Sequence, residues 1–217
     1  MRADAVRRIV RAYDHPVVRA YCWARFWILR QRFLDEIGQY LPESGCVLDI
    51  GCGFGLFSLY YAATGPRRFV RGVDLSAGRI AMARRAAARL AIENVAYEEG
   101  DALDFKGDGE VAAAYMLDIV HHVAPERVGP LLRELHRCLA ADGVLLVKDV
   151  DTRPAPKRWF TWVLDRLMAP TTPVRYWSAE ELTAALRAAG FAVRRHAMLD
   201  FLPYPHVLYV CAKGHGP

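Results

Sequence analysis

Apolar residues recur at steps of three and four near the start of the chain. Within residues 17–37 they form one stripe, while the arginines of this segment fall mostly off it. This spacing predicts an amphipathic helix, and the run LPESG at 41–45 is expected to end it. The stripe consists of Cys22, Phe26, Leu29, Phe33 and Ile37.

From Cys46 onward, short apolar runs alternate with helical patterns. The apolar runs are CVLDI, FVRGVDL, NVAYEE, VAAAYML and GVLLVKDV. The helical patterns between them are FSLYYAAT, GRIAMARRAAARLA and PLLRELHRCLA. Strands that alternate with helices predict successive right-handed βαβ units, and therefore an α/β fold with a parallel sheet and helices on both faces.

The alternation ends after the fifth predicted strand. Residues 157–168 carry the pattern of an extra helix, and Ser178 with Glu181 three positions later forms a capping box that predicts the start of another. The segments FAVRRHAML and HVLYVCAK are predicted to be the last two strands, joined through Pro203 and Pro205.

The composition is that of a globular protein. The 217 residues are 53% hydrophobic and 24% charged, which excludes a disordered chain and a disulfide-stapled miniprotein. Since no repeat or long linker divides the sequence, we expect a single domain over 1–217. Its expected parts are an N-terminal helical cover at 1–42, a cofactor-binding core at 43–152, and substrate-side helices with a final antiparallel hairpin at 153–217.

The cysteines and the distribution of apolar residues bear on location. The 5 cysteines contain no CxxC pair, which argues against a zinc knuckle or a redox dithiol and suits a reducing compartment. We find neither the apolar core of a secretory signal near the N-terminus nor a run of ~20 apolar residues that would span a membrane. We therefore expect a soluble, cytoplasmic protein.

A glycine-rich turn follows the first predicted strand. In the run VLDIGCGFG at 47–55, Gly51, Gly53 and Gly55 occupy every second position. Their missing β-carbons would let a ligand approach the backbone, and the amides that begin the next helix would donate hydrogen bonds to it. A tight turn without a ligand is the simpler alternative.

Carboxylates follow the next two predicted strands. Asp74 ends the second strand, and the run GDA places Asp101 after the third. Because the carboxyl ends of parallel strands share one edge, both acids are expected beside the glycine turn, where Asp74 could accept two hydrogen bonds from a ribose diol. Taken singly, each could instead be a solvated loop charge or a helix cap.

Together these motifs resemble the class I S-adenosylmethionine-dependent methyltransferases of the small-molecule branch. VLDIGCGFG resembles their first motif, VDLS their acidic motif after strand two, and GDA their adenine motif after strand three. The resemblance is close over residues 46–150 and looser beyond. It implies a Rossmann-like, seven-stranded, mostly parallel sheet in the order 3-2-1-4-5-7-6.

The resemblance also implies S-adenosylmethionine as the cofactor and S-adenosylhomocysteine as the product. It assigns the ribose to Asp74, the adenine to Leu75 and Asp101, and the methionine part to the glycine turn and Leu117. The net negative charge of residues 41–152 suits a sulfonium cofactor better than an anionic phosphate. The implied cofactor-binding residues are Asp49, Gly51, Cys52, Gly53, Gly55, Asp74, Leu75, Asp101, Ala102 and Leu117.

A dinucleotide-dependent oxidoreductase is the nearest alternative, because a glycine turn followed by an acid about 20 residues later is also its fingerprint. Here the third glycine lies two positions after the second, whereas the dinucleotide pattern places it three positions after. In addition, an acid precedes the first glycine by two residues, and no substrate domain follows. These differences favour a methyltransferase.

Two histidines follow the fourth predicted strand, on the side where an acceptor should enter. A neutral imidazole can take a proton from an oxygen or nitrogen acceptor, so His121 and His122 are candidate bases, although they could also only pack against the cofactor. We expect no metal site, because adjacent helical histidines point apart and the sequence offers no obvious third ligand. Lys148, Asp149 and Asp151 could touch the acceptor, or could pair with each other or cap a loop.

Aromatic residues are dense in the two segments that would cover the acceptor. They suggest a lid for a small hydrophobic or aromatic acceptor, methylated at oxygen, nitrogen or carbon, although most of them could instead be core residues. The first segment supplies Tyr13, Tyr21, Trp23, Phe26, Trp27 and Phe33, and the second supplies Trp159, Phe160, Trp162, Tyr176 and Trp177.

The net charge of +5 comes from the two flanks, 1–40 and 153–217. These basic, aromatic segments could rest on an anionic membrane surface or on RNA. Because the chain lacks an NPPY-like tetrapeptide, a Lys-Asp-Lys-Glu set and an RNA-binding module, nucleic acid is the less favoured partner, and RNA methylation stays an alternative. A cofactor-binding protein without catalysis is another, and both a monomer and a homodimer are open.

Overall fold

The computed structural model describes residues 2–105, 109–152, 175–198 and 206–213. The predicted helix at 157–168 and the connection through Pro203 and Pro205 lie outside these residues. The helices are α1 (Arg2–Arg11), α2 (Pro16–Gly38), α3 (Leu56–Thr64), α4 (Ala77–Leu90), α5 (Pro125–Cys138) and α6 (Ala179–Ala188). The strands are β1 (Gly45–Ile50), β2 (Arg68–Asp74), β3 (Val95–Glu99), β4 (Val111–Leu117), β5 (Leu139–Val150), β6 (Phe191–Ala197) and β7 (His206–Lys213). Two short 3-10 turns cover Ala102–Asp104 and Val120–His122.

The strands form a seven-stranded sheet in the order β3-β2-β1-β4-β5-β7-β6. Strands β1 to β5 pair in parallel, whereas β7 lies between β5 and β6 and is antiparallel to both. The predicted Rossmann-like fold and its strand order are therefore confirmed. Because β1 to β5 run in the same direction, their carboxyl ends meet along one side of the sheet, which we call the carboxyl edge.

Two apolar layers cover the sheet. On one face α1 to α4 pack through residues that include Ile9, Leu59 and Ile80, and on the other face α5 and α6 pack through Leu132 and Leu186. The inner strands β1, β4 and β7 are thus buried along most of their length, which explains why they appear in the sequence as nearly continuous apolar runs. The edge strands β3 and β6 are more exposed.

Helix α2 packs its predicted stripe into the core. All of the stripe residues, from Cys22 to Ile37, are buried, so the predicted helix is confirmed. Its backbone leaves the helical region at Arg30, where φ is 48° and ψ is 172°. The sequence does not indicate this kink, because neither glycine nor proline lies nearby.

The connection between α1 and α2 is fastened to the glycine turn and to α4. The Tyr13 hydroxyl donates a hydrogen bond of 2.9 Å to the Phe54 carbonyl, and Arg89 donates one of 2.9 Å to the Ala12 carbonyl. Arg89 also forms an ion pair with Asp14. These contacts place the N-terminal helices over the turn that follows β1.

The start of α6 confirms the predicted capping box. The Ser178 hydroxyl accepts from the Glu181 amide at 3.2 Å, and the Glu181 carboxylate accepts from the Ser178 amide at 2.8 Å. The Asp151 carboxylate accepts from the Ala179 amide at 3.1 Å, so this acid ties the end of β5 to α6. In the described part of the chain, the helices are too short or too polar to cross a membrane.

A carboxyl group is buried in the middle of the sheet. The Asp49 side chain on β1 accepts hydrogen bonds from the Ser58 hydroxyl at 2.5 Å and the Tyr115 hydroxyl at 3.0 Å. Burial penalises its ionised form and raises the pKa of Asp49 from 3.8 to about 7, against the opposing effect of these two hydrogen bonds. Asp49 therefore fastens β1 to α3 and β4 rather than facing solvent.

The buried carboxyl should make stability depend on pH. The folded protein keeps the Asp49 proton up to about pH 7, whereas the unfolded chain loses it near 3.8, so stability falls as pH rises between these values. From about pH 5 to about pH 8, we expect the free energy of unfolding to fall on the order of 3 kcal/mol further in the wild type than in Asp49→Asn. Urea unfolding checks this.

The exposed Asp142 provides the matched control. Asp142→Asn should keep the wild-type decline with pH. Parallel pH profiles for the wild type and Asp49→Asn would contradict the raised pKa.

Candidate active site

The glycine turn is fixed to the end of β2. The amides of Gly51 and Cys52 both donate to the Val73 carbonyl, at 2.8 and 3.1 Å. Gly51 has a φ of +72°, and a β-carbon there would lie 2.6 Å from the Ile119 side chain. A larger residue would be strained and would collide with the loop after β4, so glycine is required here.

Gly53 differs from its neighbours because it faces open space. Its φ is +55°, and a β-carbon built on it would meet no atom of the described residues within 4 Å. Its amide donates a 2.9 Å hydrogen bond to the Asp74 carboxylate. The turn therefore presents uncovered main chain beside an acid, which is a surface that a ligand can approach closely.

Asp74 ends β2 and is mostly buried. One carboxylate oxygen accepts from the Gly53 amide and the other from the Ser76 amide, each at 2.9 Å. A carboxylate oxygen has two lone pairs, so each of these oxygens can accept a further hydrogen bond. The next residue, Leu75, is 71% exposed and places an apolar side chain at the same corner.

Asp101 lies on the loop after β3. Its carboxylate caps the following 3-10 turn by accepting from the Leu103 amide at 3.0 Å. It also forms an ion pair with Arg127 of α5. Partial burial acts to raise the pKa of Asp101, but the Arg127 guanidinium and the Leu103 amide hold it below its usual range.

A cluster of ionic groups surrounds Asp118, directly after β4. Its carboxylate contacts the Lys148 ammonium at 2.5 Å, the Arg25 guanidinium at 2.9 Å and the His206 ring at 3.9 Å. Burial acts to raise the pKa of Asp118, yet Lys148 and Arg25 hold it well below its usual range. Asp118 also has a positive φ of 58°, a strained conformation for a residue other than glycine.

A second buried pair joins the loop after β4 to the end of β5. The Asp149 carboxylate lies 2.5 Å from the Nδ1 atom of His121 and accepts from the His121 amide at 3.0 Å. The centre of the His121 ring lies 4.2 Å from that of the His122 ring and 5.7 Å from that of the Tyr176 ring. In the described ranges, no group of three or more His, Cys, Asp or Glu residues is placed to hold a metal ion.

The sequence-predicted site residues lie on neighbouring loops of the carboxyl edge. Cys52 and Leu117 are buried, and Ala102 begins the 3-10 turn after β3. Asp49 is the exception, because it lies below the turn and supports it. Lys148 pairs with Asp118 of the loop after β4.

The aromatic segments combine core and surface residues. Tyr13, Phe26 and Phe33 are buried, whereas Trp23 and Trp27 are exposed. Tyr21, Tyr176 and Trp177 are half-buried. Trp159, Phe160 and Trp162 lie outside the described residues.

Sequence reasoning missed Arg25, Arg127 and His206, which contact Asp118 or Asp101. They come from α2, α5 and β7, far along the chain from the acids that they contact. No local spacing in the sequence connects such residues, so their contacts with the acids can be identified only in the folded structure. Asp118 itself could have been found, since it directly follows the fourth predicted strand.

Solved structures share this fold. The YcgJ protein from Bacillus subtilis is 21% identical and gives a TM-score of 0.70, with 86% of this chain and 100% of that one covered. The (4+2)-cyclase SpnF is 20% identical at a TM-score of 0.71, covering 85% and 82%. Geranyl diphosphate C-methyltransferase from Streptomyces coelicolor, solved with S-adenosyl-L-homocysteine, is 20% identical at a TM-score of 0.68, covering 84% and 74%.

At these identities the structures establish the fold but do not assign a reaction. A family model described as a methyltransferase domain matches residues 21–196, which include the glycine turn, both acidic loops and the histidine pair. Since this match spans most of the chain, the protein belongs to the methyltransferase domain family.

Proposed function

We propose that the protein transfers a methyl group from S-adenosylmethionine to a small hydrophobic or aromatic acceptor. The observation that carries the proposal is the uncovered backbone at Gly53, whose amide is bonded to Asp74. The open space where a β-carbon of Gly53 would lie allows close approach to the main chain, and the adjoining carboxylate can accept hydrogen bonds from hydroxyl groups. This combination suits a ligand that carries a ribose.

The surrounding residues fit the rest of the cofactor. Leu75 offers exposed apolar surface to an adenine ring, and we assign the adenine edge to Asp101 on the next loop. Leu117 ends the strand beside β1 and lies next to the region proposed for the methionine part. The proposed cofactor-binding residues are Asp49, Gly51, Cys52, Gly53, Gly55, Asp74, Leu75, Asp101, Ala102 and Leu117.

When bound, S-adenosylmethionine supplies an electrophilic methyl group attached to a positively charged sulfur. The leaving thioether needs no proton, so the chain contributes mainly alignment and exclusion of water. The N-terminal segment contacts both the glycine turn and the loop after β4. Tyr13 donates a hydrogen bond to the Phe54 carbonyl, and Arg25 donates one to Asp118. We propose that the segments 1–42, 43–152 and 153–217 act as one methyltransferase unit.

His121 is the better placed of the two proposed bases. An ionised Asp149 can only accept hydrogen bonds, so it requires the proton of the neutral His121 ring to lie on Nδ1. The ring lone pair is then on Nε2, which can take the proton of an acceptor hydroxyl or amine. Asp149 would stabilise the imidazolium that forms.

The groups around His121 support a small acceptor with apolar or aromatic character. Tyr176 stacks obliquely beside the His121 ring, and the apolar residues Ile119 and Trp177 pack nearby against the α5 and α6 layer. Aromatic surfaces of this kind bind rings and hydrocarbon chains by burying them from water. We propose that the methylated atom is an oxygen, nitrogen or carbon of the acceptor. The way the acceptor binds beside His121 decides which of its atoms receives the methyl group.

Gly53→Ala should weaken cofactor binding. Its new methyl group would occupy the open space above the turn, so we expect affinity for S-adenosylhomocysteine to fall at least about tenfold in calorimetry. The stability cost should be small, about 1 kcal/mol, because the positive φ is strained for alanine while the β-carbon meets no described neighbour.

Gly78→Ala is the matched control, since its β-carbon would have only Ser76 Oγ nearby, at 4.0 Å. This variant should bind S-adenosylhomocysteine like the wild type. Wild-type affinity in Gly53→Ala would show that no ligand lies on this backbone.

His121→Gln should reduce turnover by about 100-fold or more, in keeping with the loss of a general base, while affinity for S-adenosylhomocysteine stays within about twofold. His122→Gln should have the smaller effect on turnover. Transfer of label from methyl-labelled cofactor to pools of quinones, phenols, lipids and amines provides the assay. A loss of affinity with unchanged turnover per bound cofactor would make His121 structural.

A further inference from the structure

Two tryptophans project from the outer side of α2. Trp23 is 47% exposed and Trp27 is 59% exposed. Because they are four positions apart, they lie on the same side of the helix, one turn above the other. The buried stripe lies about 100° around the helix from them, because Cys22 and Phe26 each directly precede a tryptophan. The apolar surface of α2 therefore extends from the core onto its exposed side. Together they present exposed aromatic surface, and aromatic residues of this amphipathic kind are enriched at protein interfaces and at membrane interfaces.

The charge around these tryptophans is positive. Between Pro16 and Leu34, α2 carries four arginines and no acidic residue. Of these, Arg19 and Arg30 are exposed on either side of the tryptophan pair, and the whole chain has a net charge of +5. Tryptophan favours the interfacial layer of a bilayer, and arginine is attracted by anionic lipid headgroups.

The tryptophan pair lies close to the proposed acceptor site. Arg25, two positions from each tryptophan, extends from the same helix to donate a 2.9 Å hydrogen bond to Asp118. With a helix about 10–12 Å across, the outer surface of α2 is only one helix diameter from the loop after β4. A partner bound to the outer side of α2 would therefore lie next to the route by which an acceptor reaches the site.

We infer that the Trp23–Trp27 side of α2 docks the protein on an anionic lipid bilayer. The further step, that the acceptor is a lipid-soluble molecule drawn from that bilayer, rests on the proposed function. Docking of this kind needs both components: the tryptophans supply interfacial burial, and the arginines supply attraction that salt screens.

Sedimentation of the full chain with vesicles tests the docking surface. The wild type should bind phosphatidylcholine vesicles that contain phosphatidylglycerol more tightly than pure phosphatidylcholine vesicles, and the difference should shrink with added salt. Trp23→Ala/Trp27→Ala should bind the anionic vesicles at least about tenfold more weakly. Phe69→Ala is the matched control, because Phe69 is a 42% exposed aromatic at the start of β2, away from the carboxyl edge, and should bind like the wild type.

The same variants separate this inference from the proposed function. Calorimetry with S-adenosylhomocysteine should give wild-type affinity for the double variant. Failure of the wild type to bind S-adenosylhomocysteine, with vesicle binding intact, would sink the proposed function and leave the docking surface standing. The inference is overturned by equal vesicle binding in the wild type and the double variant. It is also overturned if the wild type does not bind vesicles but binds a mixed-sequence RNA, or forms a concentration-dependent dimer, and the double substitution abolishes that RNA binding or dimerisation.

Discussion

The hydrogen bond from the Gly53 amide to the Asp74 carboxylate joins the two loops on which the proposed site depends. It is possible only because β1 and β2 are parallel neighbours that end at the same edge of the sheet. Gly51 and Cys52 strengthen the join by bonding to the carbonyl of Val73. The turn is thus held in place by β2 while the surface above Gly53 stays uncovered, and a preorganised backbone loses little entropy when a ligand binds.

The other half of the site is organised by ionic pairs rather than by glycine. Asp118 connects β4 to α2, β5 and β7, and Asp149 connects the end of β5 to His121. Each acid lies at the carboxyl end of a strand and faces cationic or imidazole groups from elsewhere in the chain. Lys148, His121 and Asp149 are buried, so removing the partner of one of them would leave a buried polar group uncompensated. These pairs therefore fix the relative positions of the segments that meet there.

Most of the fold could be predicted from the sequence because its signals are local. The run VAAAYML became β4 over the same residues, and the Ser178 and Glu181 pair formed the capping box expected of it. The acids after β2 and β3 could be placed at one edge from strand direction alone. The ion pairs could not, since Arg25 and Asp118 are 93 positions apart and nothing in either neighbourhood specifies the other. The kink at Arg30 could not be predicted either, because no glycine or proline marks it in the sequence.

The central claim is that uncovered main chain around Gly53 receives an adenosyl group held by acids from neighbouring loops. A crystal structure of the protein soaked with sinefungin tests it most directly. The account predicts the ligand against Gly53, with its ribose hydroxyls within hydrogen-bond distance of Asp74 and its adenine against Leu75. A soaked crystal in which the space above Gly53 is filled by the protein's own side chains, or in which sinefungin binds elsewhere, would contradict it.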